Sequence, residues 1–273
     1  MHQKDIPLGK TSSYVEEYTP SLLFPIPRAQ GRGKMAMPPF RGFDLWRAYE
    51  LTFLAPNGLP QCYMASIKVP CTSPYIVESK SLKLYLGSFS QTMFNGPDEV
   101  SSVICQDLNQ LLNTEVKVKL YELNSSAMPL VDTSDLILEN DPSLADVKFK
   151  TFEVDSSLLR LANKKENISE TVTTNLFRSR CPVTAQPDYA TVTISYSGEK
   201  IDHASLLAYL VSYRRHQGFH EQCCEMIFTD LINICKCDEL TVSCSFTRRG
   251  GIDINPVRSN AHSFDEPKRT PRQ

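Results

Sequence analysis

The sequence predicts an α+β protein built on antiparallel sheets, and three observations lead there. Runs rich in β-branched and aromatic residues come in pairs around turn signals. Helical periodicities bunch between those pairs instead of alternating with strands, which disfavours a doubly wound parallel sheet. The pattern also recurs: Ser81–Leu86 (SLKLYL) matches Ser205–Leu210 (SLLAYL) at an offset of 124, and Asp107-Leu108 matches Asp230-Leu231 at 123. Val118 and Val242 again stand 124 apart. So constant an offset reads as tandem duplication of one strand–strand–helix–helix–strand–strand unit, with modules over 1–140 and 141–273.

In the first module, Arg47–Ala55 and Cys62–Val69 read as strands separated by the turn Pro56-Asn57-Gly58-Leu59-Pro60. Leu82, Tyr85, Leu86 and Phe89 then fall at i, i+3, i+4, i+7, one face of a helix. Asn95-Gly96-Pro97-Asp98 breaks it and opens another, with Pro97 near the first helical position and Val100, Val103, Ile104, Leu108 and Leu111 on its apolar stripe. Val116–Leu123 alternates and reads as a strand. In the second module, Tyr189–Tyr196 is a strand, and Leu206, Leu210 and Tyr213 mark a helix. A further helix spans about His220–Ile234, and Leu240–Phe246 is a strand. Ser134–Ala145 is the expected connector, and the polar segment Asn260–Gln273 is expected to be mobile.

Composition narrows the function. The chain has 273 residues, 41% hydrophobic and 22% charged, which fits a folded soluble protein and argues against disorder. Its 29 Lys and Arg against 31 Asp and Glu leave a net charge of −2, with no electrostatic footprint for nucleic acid or an anionic membrane. Apolar stretches such as Ser205–Tyr213 fall far short of the ~20 residues that span a bilayer. Met1–Asp5 lacks an apolar signal core, and the nine cysteines are odd in number, so they read as reduced thiols in a cytoplasm rather than a disulfide framework. Neither Cys223-Cys224 nor Cys235-Lys236-Cys237 has zinc-knuckle spacing, and no metal site is expected. Gly31–Ala36 fits G-x-G-x-x-A formally, but it follows no apolar strand and Pro38-Pro39 blocks a helix after it, so it is no dinucleotide fingerprint.

Four stretches are left that can carry chemistry. Glu78–Tyr85 (ESKSLKLY) puts a carboxylate where helix N-terminal donors favour it, followed by Ser79, Lys80 and Lys83; alone it reads as a capped helix with solvated lysines. Cys181 follows Arg178 and Arg180, whose charges would favour a thiolate if they face it, and Asp188 returns past two prolines as a proton donor. By itself, a cysteine in a polar loop is more often inert. His220-Glu221 opens a helix and offers an imidazole and a carboxylate to a planar polar ligand, although a helix-terminal charge pair is the plainer interpretation. Arg248-Arg249-Gly250-Gly251 joins guanidinium groups to exposed backbone, which suits a phosphate, or simply makes a surface turn. His216 and His220 have metal-pair spacing, but Gly218 interrupts them.

Together these stretches resemble the nitrile reductase family of queuosine biosynthesis, the NADPH-dependent 7-cyano-7-deazaguanine reductases. Glu78–Tyr85 is similar to the family signature, Cys181-Pro182-x-Thr184-x-Gln186-Pro187-Asp188 to its catalytic loop, and His220-Glu221 to its substrate pair. The resemblance runs from about Leu8 to Asn260 and is to the two-module branch, whose fold is two tandem tunnelling-fold modules. It implies Cys181 as the nucleophile that forms a thioimide and Asp188 as the proton donor. It implies substrate contacts from Val77, Glu78, Ser79, His220 and Glu221. For NADPH it implies Ser79 and Lys80 from one module with Arg249 and Gly250 from the other, Lys83 and Arg248 being weaker candidates for the 2′-phosphate. Neither module would then hold the whole site. The product would serve tRNA modification, with a small-molecule partner, no direct nucleic-acid contact, and a cytoplasmic homodimer. A zinc-dependent pterin-forming cyclohydrolase would need a Cys/His set that cannot be assembled, and a non-catalytic nucleobase binder would leave Cys181 and Asp188 without a role.

Overall fold

A computed structural model describes residues 14–33, 37–126, 128–131, 136–142, 144 and 147–273. It is a mixed α+β structure whose contacts define two compact units. One takes in Met1–Gly33, Phe43–Met128 and Arg248–Ile254, the other Lys34–Gly42, Pro129–Thr247 and Asn255–Gln273. Packing thus divides the chain less simply than the sequence repeat does. Arg248–Ile254 is bonded to the first unit through backbone and side chain: Tyr49 N donates to Gly251 O at 3.1 Å, and Tyr49 Oη donates to Asp253 Oδ2 at 2.5 Å.

The first unit carries strands β2 (Arg41–Leu54, from Phe43 onward), β3 (Pro60–Pro70) and β5 (Lys117–Glu122) in the order β5-β3-β2, all antiparallel. A short ladder joins β1 (Pro25–Pro27) to β4 (Tyr75–Val77), with α1 (Arg28–Arg32) after β1. Helices α2 (Ser79–Gly87) and α3 (Pro97–Leu112) bury Leu82, Tyr85, Ile104 and Leu108 against Leu51, Phe53, Ala65 and Ile67. Pro97 opens α3 as the sequence predicts, with Asp98 and Glu99 in its first turn, where the helix dipole favours them. Lys34–Ala36, the second half of the glycine stretch, and part of the Ser134–Ala145 connector lie outside the described residues.

The second unit carries β6 (Leu136–Ile137), β7 (Asn167–Arg180), β8 (Pro187–Glu199), β9 (Glu239–Phe246) and β10 (Ile252–Ser259, from Asn255 onward). Their order is β10-β9-β8-β7-β6, antiparallel except for β6 beside β7. Helices α4 (His203–Ser212) and α5 (His220–Cys235) cover one face, where Val192, Ile194, Tyr209, Phe228 and Val242 are buried. The other face is a hydroxyl lattice, with Thr171 bonded to Ser195 at 2.8 Å and Thr241 to Ser259 at 2.7 Å. The segment after Ser259 is not loose, contrary to expectation. Ala261, Thr270 and Gln273 are buried, and Arg272 Nη2 donates to Thr191 Oγ1 at 3.1 Å.

The same hydrogen bonds recur in both units. Tyr85 Oη donates to Asp107 Oδ2 at 2.5 Å, and Tyr209 Oη to Asp230 Oδ2 at 2.6 Å. Ser81 Oγ donates to Glu78 O at 2.7 Å and Ser205 Oγ to Asp202 O at 2.8 Å. Ser88 and Ser212 each close the following turn, on Tyr85 O and Tyr209 O. Both second helices end in a left-handed residue, Asn113 and Lys236. The residues matched in sequence thus form one polar framework twice.

Candidate active site

In the first unit, Glu78 is the N-cap of α2. Its side chain accepts from Lys80 N at 2.9 Å through Oε1 and from Ser81 N at 2.7 Å through Oε2. A carboxylate has about four lone-pair sites, so two are left for a ligand. Glu78 is held from behind as well: its N–H donates to Phe24 O at 2.9 Å, and Val77 before it is buried in β4. The result is a carboxylate only 1% exposed with fixed orientation, a good acceptor for N–H donors in a plane.

The turn Arg248–Gly251 belongs to this same unit. Gly250 and Gly251 have φ of 64° and 77°, left-handed values that favour glycine. A Cβ on Gly250 would stand 3.1 Å from Lys83 Cδ, so the lysine stem of α2 lies over bare backbone. The Arg248 guanidinium rests 4.3 Å from the centre of the Tyr49 ring, with Glu50 Oε1 3.9 Å away. Lys83, Arg248, Arg249 and a glycine cradle therefore share one unit with Ser79 and Lys80. This corrects the expectation that Arg249 and Gly250 come from a module other than that of Ser79 and Lys80. Cations around a turn stripped of side chains suit a dinucleotide's phosphates, and the residues fit NADPH.

In the second unit, the hairpin between β7 and β8 presents Cys181. Cys181 N donates to Gln186 O at 2.9 Å and Ala185 N to Cys181 O at 3.0 Å, with Ala185 at φ 56°. Pro182 and Pro187 stiffen this tight loop. Strand register sets Asp188 opposite Ser179, two residues before Cys181. Asp188 Oδ2 lies 3.3 Å from His220 Nε2, and the His220 ring lies flat on Phe246, centroids 3.7 Å apart and planes 9° from parallel. Glu221, 3% exposed, follows His220 in the first turn of α5. The Arg178 guanidinium donates to Arg214 O.

Cys181 is 2% exposed, and burial disfavours the thiolate at four other cysteines. Burial pushes Cys223 up to about 12, despite a bond to Ser179 that opposes the rise. Cys235 is pushed to about 11, Cys237 to about 12 and Cys244 well up, all by burial first. These four stay protonated at neutral pH and cannot act as thiolate nucleophiles. A Cβ on Gly218 would stand 2.6 Å from His216 Nε2, so the imidazole packs against the bare glycine. Among the described residues no three His, Cys, Asp or Glu side chains converge to hold an ion. A cavity of about 600 Å³ lies on the hydroxyl face of the sheet, lined by Thr191, Thr193 and Ser243, and contains none of these site residues.

Sequence reasoning missed Phe246 and Tyr49, the platforms beneath His220 and Arg248. Each lies far along the chain from its partner, and only strand register could have found them.

Residues 14–120 match the family model described as nitrile reductase, 7-cyano-7-deazaguanine-reductase N-terminal, and residues 187–264 match that of QueF-like protein. The chain is 45% identical, over 100% of both chains, to the NADPH-dependent 7-cyano-7-deazaguanine reductase of Burkholderia vietnamiensis. The chain belongs to the 7-cyano-7-deazaguanine reductase family. Its counterpart from Paraburkholderia phymatum is also 45% identical, over 95% of each chain. The apo crystal structure of a QueF-Like archaeosine synthase is 14% identical and covers 38% of this chain and 99% of its own, with a TM-score of 0.30, too low to bear on the fold.

Proposed function

We propose that this member of the 7-cyano-7-deazaguanine reductase family reduces the nitrile of 7-cyano-7-deazaguanine to the aminomethyl group with NADPH, through a thioimide on Cys181. The observation that carries the mechanism is the rigid β7–β8 hairpin, which bears Cys181 at its turn and Asp188, beside His220, on its return strand.

A nitrile carbon is a weak hydride acceptor, and covalent activation divides the reaction into easier steps. The Cys181 thiolate forms the C–S bond while Asp188 delivers a proton to the nitrile nitrogen, giving R–C(=NH)–S–Cys. Bound NADPH supplies one hydride to each of two successive acceptors, the thioimide carbon and the imine carbon. Between them the C–S bond breaks and Cys181 leaves as thiolate, which an alkoxide would do far less readily. The nitrogen takes up protons as the amine forms, so one nitrile consumes two hydrides and two protons.

Glu78 and Glu221 accept from the N–H edge of the base, each such bond being worth about 1.5–3 kcal/mol. Val77 and Ser79 line the place of the base, and His220, flat on Phe246, orients it and holds Asp188. Ser79, Lys80, Arg249 and Gly250 hold the cofactor, with Lys83 and Arg248 at its extra phosphate. Two tandem tunnelling-fold modules, homodimerisation, a cytoplasmic location and a product destined for tRNA modification complete the same reading. The doubled Tyr–Asp and Ser–backbone framework supports the tandem origin. Mixing the protein with 7-cyano-7-deazaguanine and NADPH and following reduced-nicotinamide absorbance tests the activity: wild type consumes two NADPH per nitrile, and Cys181→Ala consumes none. Equal consumption by the variant would overturn the mechanism.

A further inference from the structure

We infer that Gln273 is a positioning residue for His220, acting by fixing the Phe246 platform on which the imidazole lies. The inference rests on the role proposed above for His220. Strands β9 and β10 pair over Thr241–Ser243 and Val257–Ser259. Pro256 comes next along β10 and has no N–H for the ladder. Phe246 and Asn255 lie beyond that pairing, and there the Gln273 side chain bridges the two strands. Its Nε2 donates to Phe246 O at 2.9 Å and to Asn255 Oδ1 at 2.6 Å, while its Oε1 accepts from Thr270 N at 3.0 Å.

Both amide protons and the carbonyl are thus used, in a side chain 4% exposed. So complete a pairing in a buried place defines a single geometry. Phe246 is itself 0% exposed, its ring set edge-on against Phe177 on one side and flat under His220 on the other. Without the bond at Phe246 O, β9 is held there from the β8 side alone, where Thr247 N donates to Tyr189 O at 2.9 Å; the ring can then tilt, and a flat stack at 3.7 Å transmits the tilt to the imidazole and its contact with Asp188. The segment that carries Gln273 crosses the hydroxyl face, opposite the face of β8 that bears Asp188. Gln273 therefore reaches the site only through the backbone of β9.

The test uses Gln273→Met, which keeps length and burial but donates nothing, alongside Gln273→Ala. Steady-state kinetics are measured with each substrate varied, together with the ring-proton shifts of His220 in the NMR spectrum, assigned by their loss in His220→Ala. A ring stacked flat at 3.7 Å shields the protons above it, so the imidazole protons of the wild type should lie upfield. The inference predicts that Gln273→Met lowers kcat/KM for the nitrile about tenfold through lost orientation, leaves KM for NADPH within twofold, and moves the His220 shifts downfield. A variant with unchanged kcat/KM overturns it, as does a loss shared by both substrates with His220 shifts unmoved; a change in only one of the two readouts overturns it as well. If Gln273→Ala fails to fold, Gln273→Met still decides. A wild-type protein that reduces no nitrile sinks the proposed function instead, and the His220 shifts continue to test the platform.

Discussion

At the scale of single residues, the site works by holding polar groups still in buried surroundings. Glu78 caps α2 through both carboxylate oxygens and keeps two lone pairs, so in the proposed site one carboxylate would serve both helix and substrate. Arg248 is held between the Tyr49 ring and Glu50, and Lys83 lies over Gly250. Removing either cation should weaken NADPH more than NADH, because only the former has the 2′-phosphate. Arg248→Ala is expected to raise KM for NADPH about tenfold, the worth of one charged hydrogen bond, with KM for NADH nearly unchanged; steady-state kinetics with both cofactors checks this. His216 gives a pH prediction. Burial lowers its pKa, against a smaller opposing pull from Glu153. Below about 6.5 the unfolded chain protonates His216 while the folded chain resists, so the unfolded state binds more protons and stability falls as pH falls. Urea melts at pH 7.5 and 5.5 should show that loss, and His216→Phe should reduce it.

At the scale of elements, the two helix pairs carry equivalent Tyr–Asp bonds with unequal support. Asp107 also accepts from Tyr18 Oη at 2.7 Å, whereas among the described residues Asp230 accepts from Tyr209 Oη at 2.6 Å without a second tyrosine. Burial raises the Asp230 pKa, and the Tyr209 bond opposes that rise. Tyr209→Phe should therefore cost about 1–3 kcal/mol by leaving a half-buried carboxyl without its donor, and Tyr85→Phe less, as read by urea melts at pH 7. The helices were legible in the sequence because their apolar residues repeat with helical period over several turns. Strand β7 was not, since NISETVTTNLFRSR buries Val172 and Phe177 inward while a series of hydroxyls faces outward. Strand β10 was hidden too: Pro256 interrupts it, and its Arg258 is buried with Glu225 Oε1 accepting at 2.8 Å and Val257 O at 2.9 Å. Candidate residues next to turns and helix starts, such as Glu78 and Cys181, could be named from local chemistry. The platforms Tyr49 and Phe246 depend on register between distant strands, which no local pattern carries.

At the scale of the whole molecule, one hydrogen-bonded framework occurs twice, and the proposed chemistry is unequally shared between its two copies. The N-cap position of Glu78 is occupied in the second unit by Asp202, which accepts from Ser205 N at 2.7 Å, while the Cys181 hairpin belongs to the second unit. Arg248–Ile254 lies within the second repeat in sequence yet packs with the first unit, so the basic turn and the signature helix share one body. The scarcity of glycine, 11 in 273 residues, fits a chain that holds a dinucleotide without a glycine-rich fingerprint. The central claim is covalent capture of the nitrile by Cys181, and mass spectrometry of the intact protein incubated with 7-cyano-7-deazaguanine in the absence of NADPH tests it most directly. The wild type should gain the mass of one substrate molecule, localised by proteolysis to the peptide containing Cys181 and discharged on adding NADPH, while Cys181→Ala gains nothing. An unmodified wild type that still turns over, or an adduct that persists in Cys181→Ala, would contradict the account.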